Sequence, residues 1–467
     1  MLPDPDHGLR GRQALVLGLG ITGLSLARHL VRHGAHVRVA DTRDAPPNAA
    51  ALARELPGVR LETGPLSEAT FVDCDLIAIS PGVAKDLPAI QAAVAAGIEL
   101  VGDVELFARA LPGGQKVVAI TGTNGKTTVT ALAGALGQAA GLATRVAGNI
   151  GTPVLDAMAD CEADGRWPEL FVLELSSYQL ETTSTLAPAA ATVLNVSANH
   201  LDRYPGLADY AAAKARIYGE AGVQVMNRDD PIVRLMRLPG HTVQTFGASV
   251  PVSEEEWGLV RRADGEWLAR GGELLLPAGS LSLVGRHNAL NALAALALVG
   301  TVAKVTPAVL DALAAFAGLP HRMERVAEAG GVLFVNDSKG TTVAATEAAL
   351  AGLARPVILI AGGDAKGQSF VPLKASVDRA CKAVLLIGRD APLVGAGLAR
   401  SAVPVEQTGT LAQAVERAFA LAQPGDAVVL SPACASLDQF DNYEQRGALF
   451  ARLVRERLGA KDPCASA

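Results

Sequence analysis

Val118-Ala-Ile-Thr-Gly-Thr-Asn-Gly-Lys-Thr-Thr128 is an apolar run that breaks at a glycine turn and re-emerges as a helix. Val117 to Ile120 read as a buried strand, and Val129-Thr-Ala-Leu-Ala-Gly-Ala-Leu136 has a helical rhythm. A strand, a Gly-rich loop and Lys-Thr at the opening of a helix are what a nucleotide phosphate site requires. Backbone N–H groups and the positive helix end face the anion, the lysine neutralises phosphate charge, and a threonine hydroxyl can ligate magnesium. The loop reads Gly122-x-x-Gly125-Lys126-Thr127, shorter than the common G-x-x-x-x-G-K-[ST] form. The stretch predicts ATP; an ordinary glycine turn before a helix would not need both lysine and threonine.

The chain of 467 residues is too long for one core. Half of it is hydrophobic but only 4% is aromatic, and there are 48 glycines, so the cores are built mainly from Ala, Val and Leu. That composition suits parallel α/β layers. With 47 acidic and 41 basic residues, net charge −6, the chain has no general attraction to nucleic acid or an anionic membrane. Local lysine and arginine must therefore hold any anionic substrate. Five scattered cysteines (Cys74, Cys161, Cys381, Cys434, Cys464) without C-x-x-C spacing argue against a disulfide framework or zinc site and fit a reducing cytosol. Met1-Leu-Pro-Asp-Pro-Asp6 lacks the basic and apolar regions of a signal peptide. The most apolar helical stretch, Ala289 to Val305, is interrupted by Asn291, Gly300 and Lys304, and reads as a buried helix and not a membrane span. The expectation is a soluble, cytoplasmic protein.

Upstream of the central loop, the strand Ala14 to Gly18 runs into Gly18-Leu-Gly-Ile-Thr-Gly23 and a helix, and a second strand ends at Asp41-Thr-Arg43. This is a dinucleotide-fold opening, with glycines for phosphate approach and an acid for a ribose hydroxyl. Alone it would equally fit a NAD site or a plain glycine turn. The strand Leu76 to Ser80 ends at Ser80-Pro-Gly82, again presenting small residues at the ligand-binding edge of such sheets. Leu111-Pro-Gly-Gly-Gln115 reads as a linker. Downstream, the strand Leu170 to Glu174 delivers a carboxylate beside the phosphate loop, suited to magnesium. The strand Ala191 to Val196 delivers Asn195-Val-Ser-Ala-Asn-His200, where His200 stands out only as the third loop on one strand edge. Lys214, on a helix spanning 209–218, reads on its own as a surface lysine. Gly285-Arg-His-Asn288-Ala-Leu-Asn291 opens a helix as an N-cap or as nucleotide contacts. From residue 319 a third α/β rhythm places strands at 332–336, 357–361, 383–387 and 427–430, each ending in small or polar residues.

With these loops read, residues 10–458 resemble the Mur ligases, ATP-dependent amino-acid-adding enzymes. Thr121 to Thr128, Asn195 to Tyr204 with Lys214, and His287-Asn288-x-x-Asn291 carry the likeness to the wider family. That wider family includes folylpolyglutamate synthetase, which lacks a dinucleotide-like domain ahead of the loop. Three runs resemble the branch that adds D-glutamate: Gly18 to Gly23 with Asp41 to Arg43, Asn336-Asp-Ser-Lys-Gly-Thr341, and Ser431-Pro-Ala-Cys-Ala-Ser-Leu-Asp-Gln-Phe440.

The resemblance implies an α/β protein of three domains. Residues 1–112 form a Rossmann-like domain for the uridine diphosphate substrate, 113–318 a P-loop NTPase-like domain with a small β insertion, and 319–467 a Rossmann-like domain for the amino acid. It implies a ligase joining D-glutamate to the L-alanine carboxylate of UDP-N-acetylmuramoyl-L-alanine through an acyl phosphate, with release of ADP and phosphate. ATP would meet Gly122, Thr123, Asn124, Gly125, Lys126, Thr127, Thr128, Asn291, Arg322 and Asp337. Gly20, Ile21, Thr22, Asp41, Thr42, Arg43, Ser80, Gly82 and Asn149 would hold the UDP substrate. Lys339, Thr341, Lys366, Ser436, Leu437 and Tyr443 would hold glutamate. Lys126, Glu174, His200 and Lys214 are the implied catalytic residues, with Thr127, Glu174, His200 and Lys214 around two magnesium ions.

Lys214 matches a lysine that the family carbamylates with CO2. That requires a neutral amine, and at an ordinary lysine pKa only roughly one in 2,500 is neutral at pH 7. Two departures are visible: Asn199 stands where relatives often carry an acid, and Tyr443 where a phenylalanine is common. The implied partners are small molecules, with no nucleic acid and no membrane span, and the protein is expected to be a monomer. The alternatives are use of L-glutamate, a folylpolyglutamate-synthetase-like ligase, a non-catalytic nucleotide-gated module, and a NAD-dependent dehydrogenase, which leaves Lys126 and the third segment unexplained.

Overall fold

The computed structural model describes residues 8–200, 203–283 and 285–459. Met1 to Asp6, Leu201, Asp202 and the tail with Cys464 lie outside the described residues. The chain packs as two compact units. One holds the described residues up to Val260 with Ala269–Leu274 and Leu293–Leu310; the other holds Arg261–Leu268, Leu275–Ala292 and the chain from Asp311 onward.

The first unit opens with β1 (Gln13–Leu17), β2 (His36–Asp41), β3 (Arg60–Thr63), β4 (Leu76–Ile79) and β5 (Glu99–Val101), in the order β3-β2-β1-β4-β5. All pair in parallel. β1 and β4 are apolar on both faces because both are covered: Leu15, Leu17, Ile77 and Ile79 pack to one side, Val16 and Ala78 to the other. The strand order reverses between β1 and β4, so their carboxyl ends open a crevice.

Gly23 closes the helix Ile21–Arg32 down onto β1. A Cβ there would stand 1.8 Å from the Gly18 carbonyl oxygen and 2.8 Å from Ser80 Oγ, which itself donates to that carbonyl at 2.8 Å. Since the obstacle is backbone, Gly23→Ala is expected to destabilise the unit by about 3 kcal/mol. A thermal melt identical to wild type would show that the helix slides off Gly18 freely.

The chain next forms a nine-stranded sheet. Its site-bearing strands are β6 (Lys116–Thr121), β7 (Thr144–Gly148), β8 (Leu170–Glu174), β9 (Ala190–Val193), β10 (Val223–Asn227) and β11 (Thr242–Phe246), ordered β11-β10-β9-β6-β8-β7 and parallel. β6 therefore lies between β8 and β9, and their loops converge. The short β signals around Trp257 and Trp267 become β12 (Glu256–Arg262) and β13 (Gly265–Arg270), followed by β14 (Glu273–Pro277). The apolar stretch after Gly285 forms the helix Arg286–Gly300, with Ala292 to Val299 wholly buried. No helix among the described residues is long and apolar enough to cross a membrane.

The helix Asp103–Ala110 ties the first sheet to the second. Asp103 Oδ2 accepts from Gln179 Nε2 at 2.9 Å, and Glu105 accepts from Ser184 N, Thr185 N and Thr185 Oγ1. Asp103 is wholly buried and its Oδ1 finds no hydrogen-bond partner; burial raises its pKa from 3.8 to about 6. A carboxyl whose pKa is raised on folding binds its proton more tightly in the folded chain. Its cost is thus absent below pH 3.8, grows through pH 6 and reaches on the order of 3 kcal/mol above that. Asp103→Asn keeps an oxygen for Gln179 and removes the charge. Its stability relative to wild type is expected to improve between pH 5 and pH 8 in paired thermal melts. A pH-independent difference would place the charge elsewhere.

The second unit carries β15 (Glu324–Ala329), β16 (Val332–Asn336), β17 (Val357–Gly362), β18 (Cys381–Ile387), β19 (Val405–Gly409) and β20 (Ala427–Leu430), ordered β15-β16-β20-β17-β18-β19. Only β15 pairs antiparallel, on β16. The carboxyl ends of β16, β20 and β17 lie side by side, facing the closing helix Tyr443–Arg457 through the loops described below.

Candidate active site

All nine residues expected to hold a UDP substrate line one cavity of about 590 Å³ at the crevice between β1 and β4. Gly20, Ile21 and Thr22 come from the helix start, Asp41, Thr42 and Arg43 from the end of β2, and Ser80 and Gly82 from the end of β4. Asn149 reaches in from the β7 loop. Ile21 is 72% exposed, an apolar surface for a ring at the mouth. Asp41 does more than wait for a hydroxyl: Oδ2 accepts from Leu19 N at 2.6 Å and from Arg43 Nη2 at 2.6 Å, and Oδ1 accepts from Arg43 Nε at 2.8 Å. The guanidinium, chiefly, holds the Asp41 pKa at about 2. The pair also holds Arg43, half exposed, at the cavity's lining. Gln179 lines this cavity too, and sequence reading passed over it. Its signal was present: Ser176-x-x-Gln179 forms a capping box, with Gln179 Oε1 accepting from Ser176 N and Oγ.

The phosphate loop is set by two glycines with positive φ, Gly122 at 153° and Gly125 at 84°, the latter capping the helix Lys126–Ala139. Asn195 clasps it: Oδ1 accepts from Asn124 N at 2.8 Å, Nδ2 donates to Asn124 O at 3.1 Å, and Asn195 O accepts from Thr123 N at 2.9 Å. That clasp ends β9 at Val193, short of the Val196 expected from the apolar run, because the backbone turns to serve the loop. Lys126 Nζ donates to Gly122 O at 2.8 Å and Thr123 O at 3.1 Å.

Lys214 corrects the expectation of a surface lysine. It is 1% exposed, inside the helix Leu207–Ala215, and donates to Gly122 O at 3.0 Å and Thr121 Oγ1 at 3.4 Å. The two lysines thus share one carbonyl. Burial, then the Lys126 charge, lower the Lys214 pKa from 10.5 to about 6; Glu174 partly opposes them. The helix surface was the wrong reference because this helix lays its Lys214 face on β6 and not on water.

Glu174, buried at the end of β8, accepts from Asn149 Nδ2 at 2.9 Å through Oε1, while Oε2 has no hydrogen-bond partner. Thr127, also buried, is the second residue of the helix Lys126–Ala139. Among the described residues no group of three or more His, Cys, Asp or Glu side chains could hold a metal. A spare buried carboxylate oxygen fits a hard cation that keeps water and phosphate ligands, as magnesium does, better than a cation in an all-protein cage. His200 is exposed with φ 56°, its ring 5.1 Å from Tyr178 and 6.0 Å from Tyr210. Tyr210 also faces Lys214 Nζ at 4.5 Å, and is the common neighbour of the two. Arg203, also passed over, stacks on Tyr178 at 4.3 Å and donates to Pro81 O and Val83 O, tethering the His200 loop to the first cavity's rim.

In the second unit, Asp337 is buried. Its Oδ2 accepts from Ser431 Oγ at 2.8 Å and its Oδ1 from Met323 N at 3.2 Å, and burial raises its pKa to about 7. Asn291 Nδ2 donates to Asn288 Oδ1 at 3.0 Å, both within the helix Arg286–Gly300 and past its first residue. His287 is half-buried, and desolvation of its ring pushes its pKa down to about 4. Arg322 is near enough to Asp337 to act on its charge. Lys339 Nζ lies 5.0 Å over the Tyr443 ring. Thr341 follows on the same loop, Thr341 N donating to Lys339 O, while Ser436 is buried and Leu437 exposed after β20. Lys366, exposed at φ 46°, donates its N–H to Asp364.

Three family models match the chain in succession: a Mur ligase MurD-like N-terminal domain over residues 12–102, a Mur ligase middle domain over 120–299, and a Mur ligase glutamate ligase domain over 321–434. The UDP-N-acetylmuramoylalanine–D-glutamate ligase of Nitrosospira multiformis is 51% identical over 459 residues, 97% of each chain. That of Thiobacillus denitrificans is 52% identical over 463 residues, 96% of this chain and 97% of its own. Among solved structures, the UDP-N-acetylmuramate-alanine ligase of Thermotoga maritima shares the fold with a TM-score of 0.57 at 19% identity, covering 96% of this chain and all of that one.

Proposed function

The chain belongs to the Mur ligase family, and on that premise we propose that it joins D-glutamate to the L-alanine carboxylate of UDP-N-acetylmuramoyl-L-alanine, consuming ATP and releasing ADP and phosphate. The observation that carries this reading is Asn149. It lines the nucleotide-sugar cavity and at the same time bonds Glu174 beside the phosphate loop, so a carboxylate leaving that cavity arrives at a phosphoryl-transfer site. Residues 1–112 are assigned to the UDP substrate, 113–318 to ATP and 319–467 to the amino acid.

The carboxylate alone is inert to amines because its leaving group would be oxide. Its oxygen attacks the γ-phosphorus of ATP, the bond to ADP breaks, and the resulting acyl phosphate carries a good leaving group. The glutamate nitrogen then attacks the carbonyl carbon, and the tetrahedral species expels phosphate and loses a proton from nitrogen. Lys126 and the loop N–H groups hold and neutralise the phosphates. Thr127, Glu174, His200 and Lys214 would hold magnesium, which when bound offsets charge on the transferring group. Asn291, Arg322 and Asp337 are assigned to the nucleotide, and Lys339, Thr341, Lys366, Ser436, Leu437 and Tyr443 to glutamate.

Lys214, neutral near pH 7, suits addition of its nitrogen to CO2, which gives a carbamate anion and one proton. The protein is proposed to act as a cytoplasmic monomer.

The test is phosphate release with the muramoyl nucleotide across a panel of amino acids, both glutamate enantiomers included. Release with D-glutamate alone is expected. No release with any amino acid defeats the ligase reading, and release with L-glutamate alone defeats its stereochemistry.

A further inference from the structure

Arg446 lies in the first turn of the helix Tyr443–Arg457 and is 1% exposed. Its Nε donates to Ser338 Oγ at 3.0 Å, Nη2 to Ser338 O at 2.8 Å and Cys434 O at 3.1 Å, and Nη1 to Ala435 O at 3.2 Å. None of these partners is a carboxylate. A buried cation is ordinarily paired with an anion; this one is contacted by carbonyl and hydroxyl dipoles alone, and Asp438 acts on it only through space, so its positive charge is not cancelled at contact. Burial lowers its pKa to about 10, which leaves it charged at neutral pH.

The partners sit on the loops that matter. Ser338 precedes Lys339 after β16; Cys434 and Ala435 precede Ser436 after β20. Ser338 Oγ also donates to Tyr443 O at 2.8 Å, locking the start of the helix to the same point. The loop after β17 is docked there as well. Asp364 and Ala435 exchange two backbone hydrogen bonds of 2.9 Å, and a Cβ on Gly363 would stand 2.2 Å from Ala435 O and 3.2 Å from Arg446 Nη1. The guanidinium therefore bonds loops from two strand ends directly, and the third is docked on the same Ala435 through its backbone, an arrangement that a hydrophobic side chain of similar volume would fill without fixing.

We propose that Arg446 is the positioning residue of the amino-acid site: it holds the loops bearing Lys339, Ser436 and Lys366 in one register, and its uncancelled charge biases that site toward a dicarboxylate over a neutral amino acid. This rests on the assignment of the second unit's loops to glutamate.

The test uses the full chain with Arg446→Met, Arg446→Lys and Ser338→Ala. Arg446→Met is expected to raise the KM for D-glutamate at least tenfold and to lower the preference for D-glutamate over D-glutamine by a similar factor. The KM values for ATP and the muramoyl nucleotide should stay within twofold. Arg446→Lys keeps a charge without the fork, so it should raise the D-glutamate KM yet retain the preference. Unchanged D-glutamate KM values, or a parallel change in all three KM values, overturn the proposal. Should Arg446→Met fail to fold, Ser338→Ala, which removes one acceptor, is expected to raise the D-glutamate KM about threefold; no change there overturns it equally. A wild-type protein that releases no phosphate with either glutamate defeats the functional assignment instead. The positioning role is then read by hydrogen exchange in 336–341 and 431–440, which should quicken in Ser338→Ala, and unaltered exchange defeats it.

Discussion

Lys126→Ala is expected to slow phosphate release by on the order of 10³-fold, the size of effect seen when one preorganised cationic or hydrogen-bonding group is removed from a phosphoryl- or acyl-transfer site. The ammonium already sits at the loop, on Gly122 O and Thr123 O. An arriving phosphate exchanges those carbonyls for its own oxygens, so the group is positioned before the reaction and little reorganisation is needed. Alanine leaves the loop's fold intact, since Gly122, Gly125 and the Asn195 clasp set it without the lysine. The loss should fall on the first chemical step. Hydroxylamine, which converts an acyl phosphate to a hydroxamate, should trap product from wild type and almost none from the variant. Undiminished trapping would place the step elsewhere. Because the Lys126 charge helps to depress the Lys214 pKa, the variant should also move that amine back toward its ordinary value.

Lys214→Met is expected to abolish turnover while making the protein more stable. The folded pKa near 6 lies far below the unfolded 10.5, so the unfolded chain binds more protons throughout that window. Stability contributed by this site therefore rises with pH between 6 and 10.5, at about 1.4 kcal/mol per pH unit, and is lowest below pH 6. At pH 7.5 the penalty is up to about 4 kcal/mol. Methionine removes it and fills the same space, and Gly122 O keeps its bond from Lys126. Thermal melts in CO2-free buffer should show a raised melting temperature at pH 7 and a smaller gain at pH 9. Activity of Lys214→Ala should return in part with small carboxylates, if the working form is the carbamate. A fully active Lys214→Ala protein, or a Met variant that melts lower at pH 7, would refute the role assigned to burial here.

Much of the fold was legible. β8, β16 and β20 run between the residues their apolar runs predicted, because strands covered on both faces are written as unbroken Val, Ile and Leu. The sheet edges were not. Glu324-Arg-Val-Ala-Glu-Ala329 and Val405-Glu-Gln-Thr-Gly409 are half-exposed strands whose charges and polar residues face water, so they carry no apolar run. Of the first cavity, the lining residues on loop motifs were readable, since glycine spacing and a strand end constrain local backbone. Arg203 and Arg446 were not, because each acts through partners far along the chain, Pro81 and Val83 for the first and Ser338 with Ala435 for the second; for Gln179 the local capping box was readable and the bond to Asp103 was not.

The sequence by itself determined the phosphate loop, the glycine-lined first crevice, the α/β class and the family. All of these rest on local backbone demands or on residues close in the chain. Only the tertiary structure decided that Lys214 is buried and neutral near pH 7, that Asp41 serves Leu19 and Arg43, and that Asn149 joins the first cavity to Glu174. The reason is physical. Burial and charge proximity belong to the packed chain, where a side chain's proton affinity is set by what the fold takes away from it: water, first of all.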